Sequence, residues 1–379
     1  VTLYGNWATI KTSNLQAIIE LYNGAELTLE DVVLENTSVG GRCIDTRQGS
    51  FKLIINNSTL RTTKTSGEKH DQPLTIGGSH TGLMPVEINN STITTGYAGY
   101  GIITFNPVDL KINNSKINAY GALYMKGAVS STGSAGSKVT ITGSTLTSEL
   151  NSSEPSNSFA TIVMEDNNIG LTVIDSKILA SGTGTTPQWA IGEKESVTTG
   201  NTIIVKGNSE LTGKTAAISG RENSEVVIHP GVTSKFDIPE EYLPEGTVIK
   251  EINGEFVVYK ENKIIVEKAE NGIITADKEK AIAGEEVTLT VEAAKGYKLK
   301  SILVTKDGRS AIEVNDNKFV MPNGDVTVSA EFESTSGVGT AEVEPEKDDT
   351  PKTGVETTFT VFAAIAVVSL AGLFIIKKK

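Results

Sequence analysis

The chain has 379 residues and a mass of 40.1 kDa, enough for two or three domains. Its net charge of −12 comes from 34 basic and 46 acidic residues with no basic stripe, which excludes a phosphate-gripping surface and leaves no nucleic-acid partner. A single cysteine, Cys43, excludes an intrachain disulfide and a four-cysteine zinc site, and His70, His80 and His229 lack ligand spacing, so neither metal nor cofactor is expected.

The first residue is Val1, with no basic segment and apolar stretch behind it, so a processed or incomplete N-terminus is expected. Residues 1 to about 236 carry an imperfect repeat: apolar-x-apolar, a short polar corner, then one apolar residue. Clear instances are Leu53-x-Ile55 with Leu60, Val86-x-Ile88 with Ile93, Leu110-x-Ile112 with Ile117, Val139-x-Ile141 with Leu146, and Leu171-x-Val173 with Ile178. Looser copies begin at Leu27, Ile203 and Val226, and successive copies start 26, 33, 24, 29, 32, 32 and 23 residues apart. A second apolar pattern lies between them, at Cys43-Ile44, Leu74-x-Ile76, Ile102-Ile103-x-Phe105, Leu123-x-Met125, Ile162-x-Met164, Trp189-x-Ile191 and Ala216-x-Ile218.

Each unit therefore offers about three short strands, and period-two alternation marks strands with one buried face. No unit shows an amphipathic helix, and one unit cannot bury its apolar face alone, so the units must stack. A single-stranded parallel β-helix satisfies these conditions, one turn per unit, with extra residues bulging at corners. The corners Asn56-Asn57-Ser58, Asn89-Asn90-Ser91 and Asn113-Asn114-Ser115 are expected to stack as structural ladders. A leucine-rich-repeat solenoid lacks its fixed period here, and a β-sandwich does not account for the stretched repeat. The pattern resembles the right-handed β-helix of pectin-lyase-like proteins at fold level.

Many such helices cut acidic polysaccharides, but fold alone does not decide activity. Residues 1–240 hold no Asn-Thr-Asp, Asp-Asp or Gly-His-Gly cluster, so an enzyme is the less favoured reading. The second apolar strand of each unit tends to end in charge: Asp45 and Arg47, Lys126, Glu165 and Asp166, Glu193 and Lys194, Arg221 and Glu222. Stacked coils would bring these into one exposed row, read either as solvated strand ends or as a glycan groove. The groove candidates are Lys126, Glu165, Asp166, Trp189, Glu193 and Arg221, with Tyr97, Tyr100 and Tyr124 as further exposed aromatics. Cys43 is expected as a small buried hydrophobe.

Residues 237–260 contain two Pro-Glu pairs and then Asn253-Gly254, which predicts a hairpin covering the open end of the solenoid. Residues 261–334 change texture, with strands predicted at Lys263–Ala269, Gly272–Ala276, Glu286–Glu292, Lys298–Val304, Ala311–Val314 and Val326–Glu333. The elements Gly284-Glu285-x-Val287-x-Leu289, Gly296-Tyr297, Phe319-x-Met321-Pro322 and Asp325-Val326-x-Val328 resemble a small all-β repeat module of bacterial surface proteins. That resemblance implies a stalk or interaction unit, the stalk being preferred.

Residues 335–349 are small and acidic and read as an extended linker. Residues 350–379 follow in three parts: Thr350-Pro351-Lys352-Thr353-Gly354, the uncharged stretch 358–376, and Lys377-Lys378-Lys379. Nineteen apolar residues as a helix span about 28 Å, close to the hydrocarbon core of a bilayer. The terminal lysines hold the short end in the cytoplasm, which leaves the bulk of the chain outside. Together these parts resemble the sorting signal of Gram-positive cell-wall-anchored proteins, with Thr350 where that family usually has leucine. The resemblance implies cleavage after Thr353 by a sortase and transfer to peptidoglycan, with membrane insertion only before sorting. The expectation is an all-β, extracellular, wall-anchored protein whose β-helix meets a host glycan or matrix protein. A wall-tethered polysaccharide lyase or hydrolase, a structural wall component and a plain membrane-anchored ectodomain are the rivals.

Overall fold

The computed structural model describes residues 1–14, 16–63, 71–79, 82–96, 99–128, 133–149, 160–182 and 189–336. The sorting motif 350–354, the apolar span 358–376 and the basic tail 377–379 lie outside the described residues, as do Tyr97, His70 and His80. Among the described residues no helix is long and apolar enough to cross a membrane.

The N-terminal part is all strand, and every third strand shares a sheet. The first sheet has nine parallel strands, from Thr2–Tyr4 through Val108–Asn113 to Glu225–Ile228. The second takes the strand after each of these, beginning with Thr9–Thr12, and the third takes the next, from Ala17–Leu21 to Ala216–Ser219. This is a parallel β-helix of eight three-strand coils and a ninth with two strands. The registers stack like on like: Leu29, Ile55, Ile88, Ile112, Ile141, Val173, Val205 and Ile228 are successive partners, and all are fully buried. Each such side chain contributes about 1.5–3 kcal/mol by leaving water, and the stack forms one continuous core along the solenoid.

The corner between first and second sheets explains the Asn-Asn-Ser sequence. The residue before each corner serine is left-handed: Asn57, Asn90, Asn114 and Asp175 all at φ 48°, with Gly143 at 58°. Asn, Asp and Gly bear that conformation at least cost. The serine then points inward and joins a ladder. The N–H of Ser58 donates to Ser91 Oγ, Ser91 to Ser115, Ser115 to Ser144, each at 3.0 Å, and the series continues to Ser176 and Ser209. Beside it, Asn113 Nδ2 donates to Asn89 Oδ1 (2.8 Å) and Asn89 Nδ2 to Asn56 Oδ1 (2.9 Å).

Two features differ from the sequence expectation. A whole coil, residues 2–21, precedes the first repeat assigned above. Its residues Tyr4, Trp7 and Ile10 are exposed, and the buried alternation is weak there. At the other end, the hairpin turns at Asn253-Gly254, pairing Thr247–Ile252 with Glu255–Val266, and the second strand runs on for 12 residues. That one strand pairs with Thr233–Ser234 of the last coil and, through Ile264–Val266, with Val326–Val328. The expected boundary at 260/261 thus falls inside a continuous strand. Ile238 is buried against the core, and Tyr242 and Leu243 pack on it from a single 3-10 turn, Glu240–Tyr242, completing the cap. The small module has its own core, built on Ile264, Val287, Leu289, Val304, Phe319, Met321, Val326 and Val328.

Candidate functional site

The third sheet positions the charged strand ends. The N–H of Lys126 donates to Thr104, that of Glu165 to Met125 and that of Lys194 to Met164, each at 2.9 Å, so these three residues occupy equivalent places in successive coils. Their side chains form a ladder of alternating sign. Glu165 lies 3.9 Å from Lys126 Nζ and 3.5 Å from Lys194 Nζ. The Tyr124 phenol donates to Glu165 Oε2 and accepts from Lys194 Nζ at 2.9 Å. Both lysines sit over the Tyr124 ring, at 5.4 and 5.3 Å from its centroid, in cation–π range. Tyr124 in turn leans on Tyr100, ring centroids 4.7 Å apart, within an apolar cluster that includes Ile103, Ala160 and Val163. Phe105 and Trp189 are half-buried against this cluster.

Burial pushes the Tyr124 phenol well above its ordinary range, and its hydrogen bond to Glu165 pushes it further. The phenol is protonated at neutral pH and donates to Glu165. The ladder of two lysines and one glutamate stands beside the half-buried Phe105 and Trp189. Tyr124 and Tyr100 are buried, 1 % and 7 % exposed, and so are not the exposed aromatics expected from sequence; Trp189 retains accessible surface.

The remaining row candidates have other work. Asp166 accepts the N–H groups of Ala135 (3.0 Å) and Asn167 (2.9 Å), which ties two coils together. Glu193 is 1 % exposed. Its carboxylate accepts from Asn201 Nδ2 (2.6 Å), the Arg221 N–H (2.6 Å) and Ser224 Oγ (2.8 Å). Arg221 Nε donates to the Lys194 carbonyl at 3.1 Å. The single exposed row expected from sequence is thus corrected: Glu193 turns inward because it stands two residues after the core residue Ile191. That spacing was the available signal. Phe105, part of the second apolar pattern, stands level with Lys126: its N–H donates to the Ile76 carbonyl at 2.8 Å. Asp45 is likewise buried, under Arg42 (2.5 Å) and Arg47 (3.0 Å).

Cys43 is fully buried, and burial pushes its thiol up to about 12, so it is chemically quiet. Among the described residues no group of three His, Cys, Asp or Glu side chains is placed to hold a metal.

Residues 262–336 match the family model described as a divergent InlB B-repeat domain, a bacterial surface β-repeat. No curated protein and no solved structure matches the chain. The chain therefore joins a long parallel-sheet solenoid to a bacterial surface β-repeat, the make-up of a cell-surface protein.

Proposed function

We propose that this is a Gram-positive surface protein that a sortase anchors covalently to peptidoglycan, displaying its β-helix to bind a glycan or matrix protein. The observation that carries this is the order of parts: solenoid, surface β-repeat over 262–336, acidic linker, then Pro351-x-Thr353-Gly354, nineteen uncharged residues and three lysines. In the reaction the sortase thiolate attacks the Thr353 carbonyl, and the Gly354 amine leaves with a proton. A wall amine then attacks the thioester, forming an amide and returning the thiolate. The ligand face would be the third sheet, where half-buried Trp189 and Phe105 flank the Lys126–Glu165–Lys194 ladder. A lyase or hydrolase finds less support there, because Glu165 is engaged by two lysines and the Tyr124 phenol.

The test uses a Gram-positive host and a secretion leader. Wild type should leave the wall fraction only after muramidase digestion, while Thr353→Ala and Gly354→Ala should stay with the membrane. Wild type that extracts with detergent alone would instead mark a plain membrane-tethered ectodomain.

A further inference from the structure

The cap at the end of the solenoid holds an open groove of about 650 Å³ between the segment 237–246 and the hairpin that follows it. Part of its lining is apolar: Ile238 belongs to the solenoid core, and Leu243 and Phe256 are half-buried. Four carboxylates line the same space, Asp237, Glu240 and Glu245 from the segment and Glu251 from the hairpin, and all four residues are exposed. Glu251 stands opposite Phe256 in the hairpin register, so charge and aromatic surface meet at one place. Among the described residues no basic side chain lines the groove.

The acidic excess holds when neighbours are counted. Residues 235–260 carry six acidic and three basic side chains, a net charge of −3 in 26 residues, against −12 in 379 for the chain. One of the three, Lys250, is already paired with Glu285 of the module, whereas none of the four groove carboxylates is in an ion pair among the described residues. The adjoining end of the last coil adds Glu222 and Glu225 against Arg221. Like charges gathered in this way repel, a cost that a cationic occupant offsets.

We infer that this groove docks a lysine- or arginine-rich extended segment of a partner protein. Such side chains carry an apolar stem and a cationic head. The stems would lie on Leu243 and Phe256 while the heads meet carboxylates on both walls. No three of these carboxylates are placed around one point to hold a metal, so an extended cation fits them better than a point charge. The inference does not rest on wall anchoring, since it concerns the cap alone.

The test is fluorescence anisotropy on the chain at low ionic strength with a labelled peptide, acetyl-Gly-Lys-Leu-Lys-Leu-Lys-Gly-amide. Saturable binding is expected, weakened by salt and at least about tenfold by the paired change Glu240→Gln and Glu251→Gln. Phe256→Ser should weaken it as well, because it removes apolar contact. The paired change Glu270→Gln and Glu292→Gln removes the same charge at exposed positions of the module and should leave binding unchanged. Circular dichroism would check that each variant folds. No saturable binding overturns the inference. So does an equal loss with both glutamate pairs, since attraction would then be to the net charge of the chain. Full affinity in Phe256→Ser overturns it too, as does displacement of the peptide by spermine at equal concentration, since the occupant would then be a free polyamine.

Discussion

Each corner serine has a single arrangement that satisfies two coils at once. From Ser91 to Ser176 the hydroxyl accepts the N–H of the serine one coil before and donates to the carbonyl two residues back, as Ser115 does with Ser91 (3.0 Å) and Asn113 (2.8 Å). Ser115→Ala should therefore strand a buried N–H and lower stability by about 1–3 kcal/mol, read as a drop in the urea midpoint. A change within error would mean that the ladder is incidental. Glu35 makes a different kind of link: Lys11 at 2.6 Å and Arg61 at 2.5 Å hold its carboxyl below the ordinary 4.5. A depressed carboxylate stabilises the fold above its unfolded value and loses that contribution as pH falls through the folded one. The stability gap between wild type and Glu35→Gln should be present at neutral pH and shrink below about pH 4.5. A gap independent of pH would contradict this ion pair. The serine ladder was legible because the left-handed corner admits so few residue types that Asn-Asn-Ser recurs. Glu193 was not, because charge at a strand end ordinarily faces solvent, whereas its position two residues after Ile191 turns it into the core.

Among elements, the 12-residue strand Glu255–Val266 decides how the parts are joined. At one end Val258 exchanges hydrogen bonds with Gly231 (2.8 Å) and Val232 (3.0 Å) of the last coil. At the other the strand enters the module sheet, and Lys250 of the hairpin pairs with Glu285 of the module. A linker between beads would let the parts move separately; a shared strand ties them mechanically. Val258→Pro removes one of these bonds and a buried side chain. Hydrogen exchange should then quicken together at residues 226–234 and 264–266. Quickening confined to one side would show two independent units. The hairpin itself was legible from Asn253-Gly254, both left-handed at 54° and 80°. Its continuation was not, because a β-branched run does not reveal where one sheet hands it to the next. The first coil was not legible because residues 2–21 lack the buried alternation that marks the others.

Across the whole molecule the parts follow one direction: solenoid, shared strand, surface β-repeat, acidic linker and the tail 350–379. The solenoid is stacked in register and its last coil is tied to the module by a shared strand, so one sheet runs from the coils that carry the ladder into the surface β-repeat. The proposed wall anchoring requires a new bond at the Thr353 carbonyl. The most direct measurement is mass spectrometry of the C-terminal peptide from protein released by muramidase. The account predicts a peptide that ends at Thr353 and carries the mass of a wall cross-bridge on its carbonyl. A peptide that continues through Gly354 into the apolar stretch would contradict it.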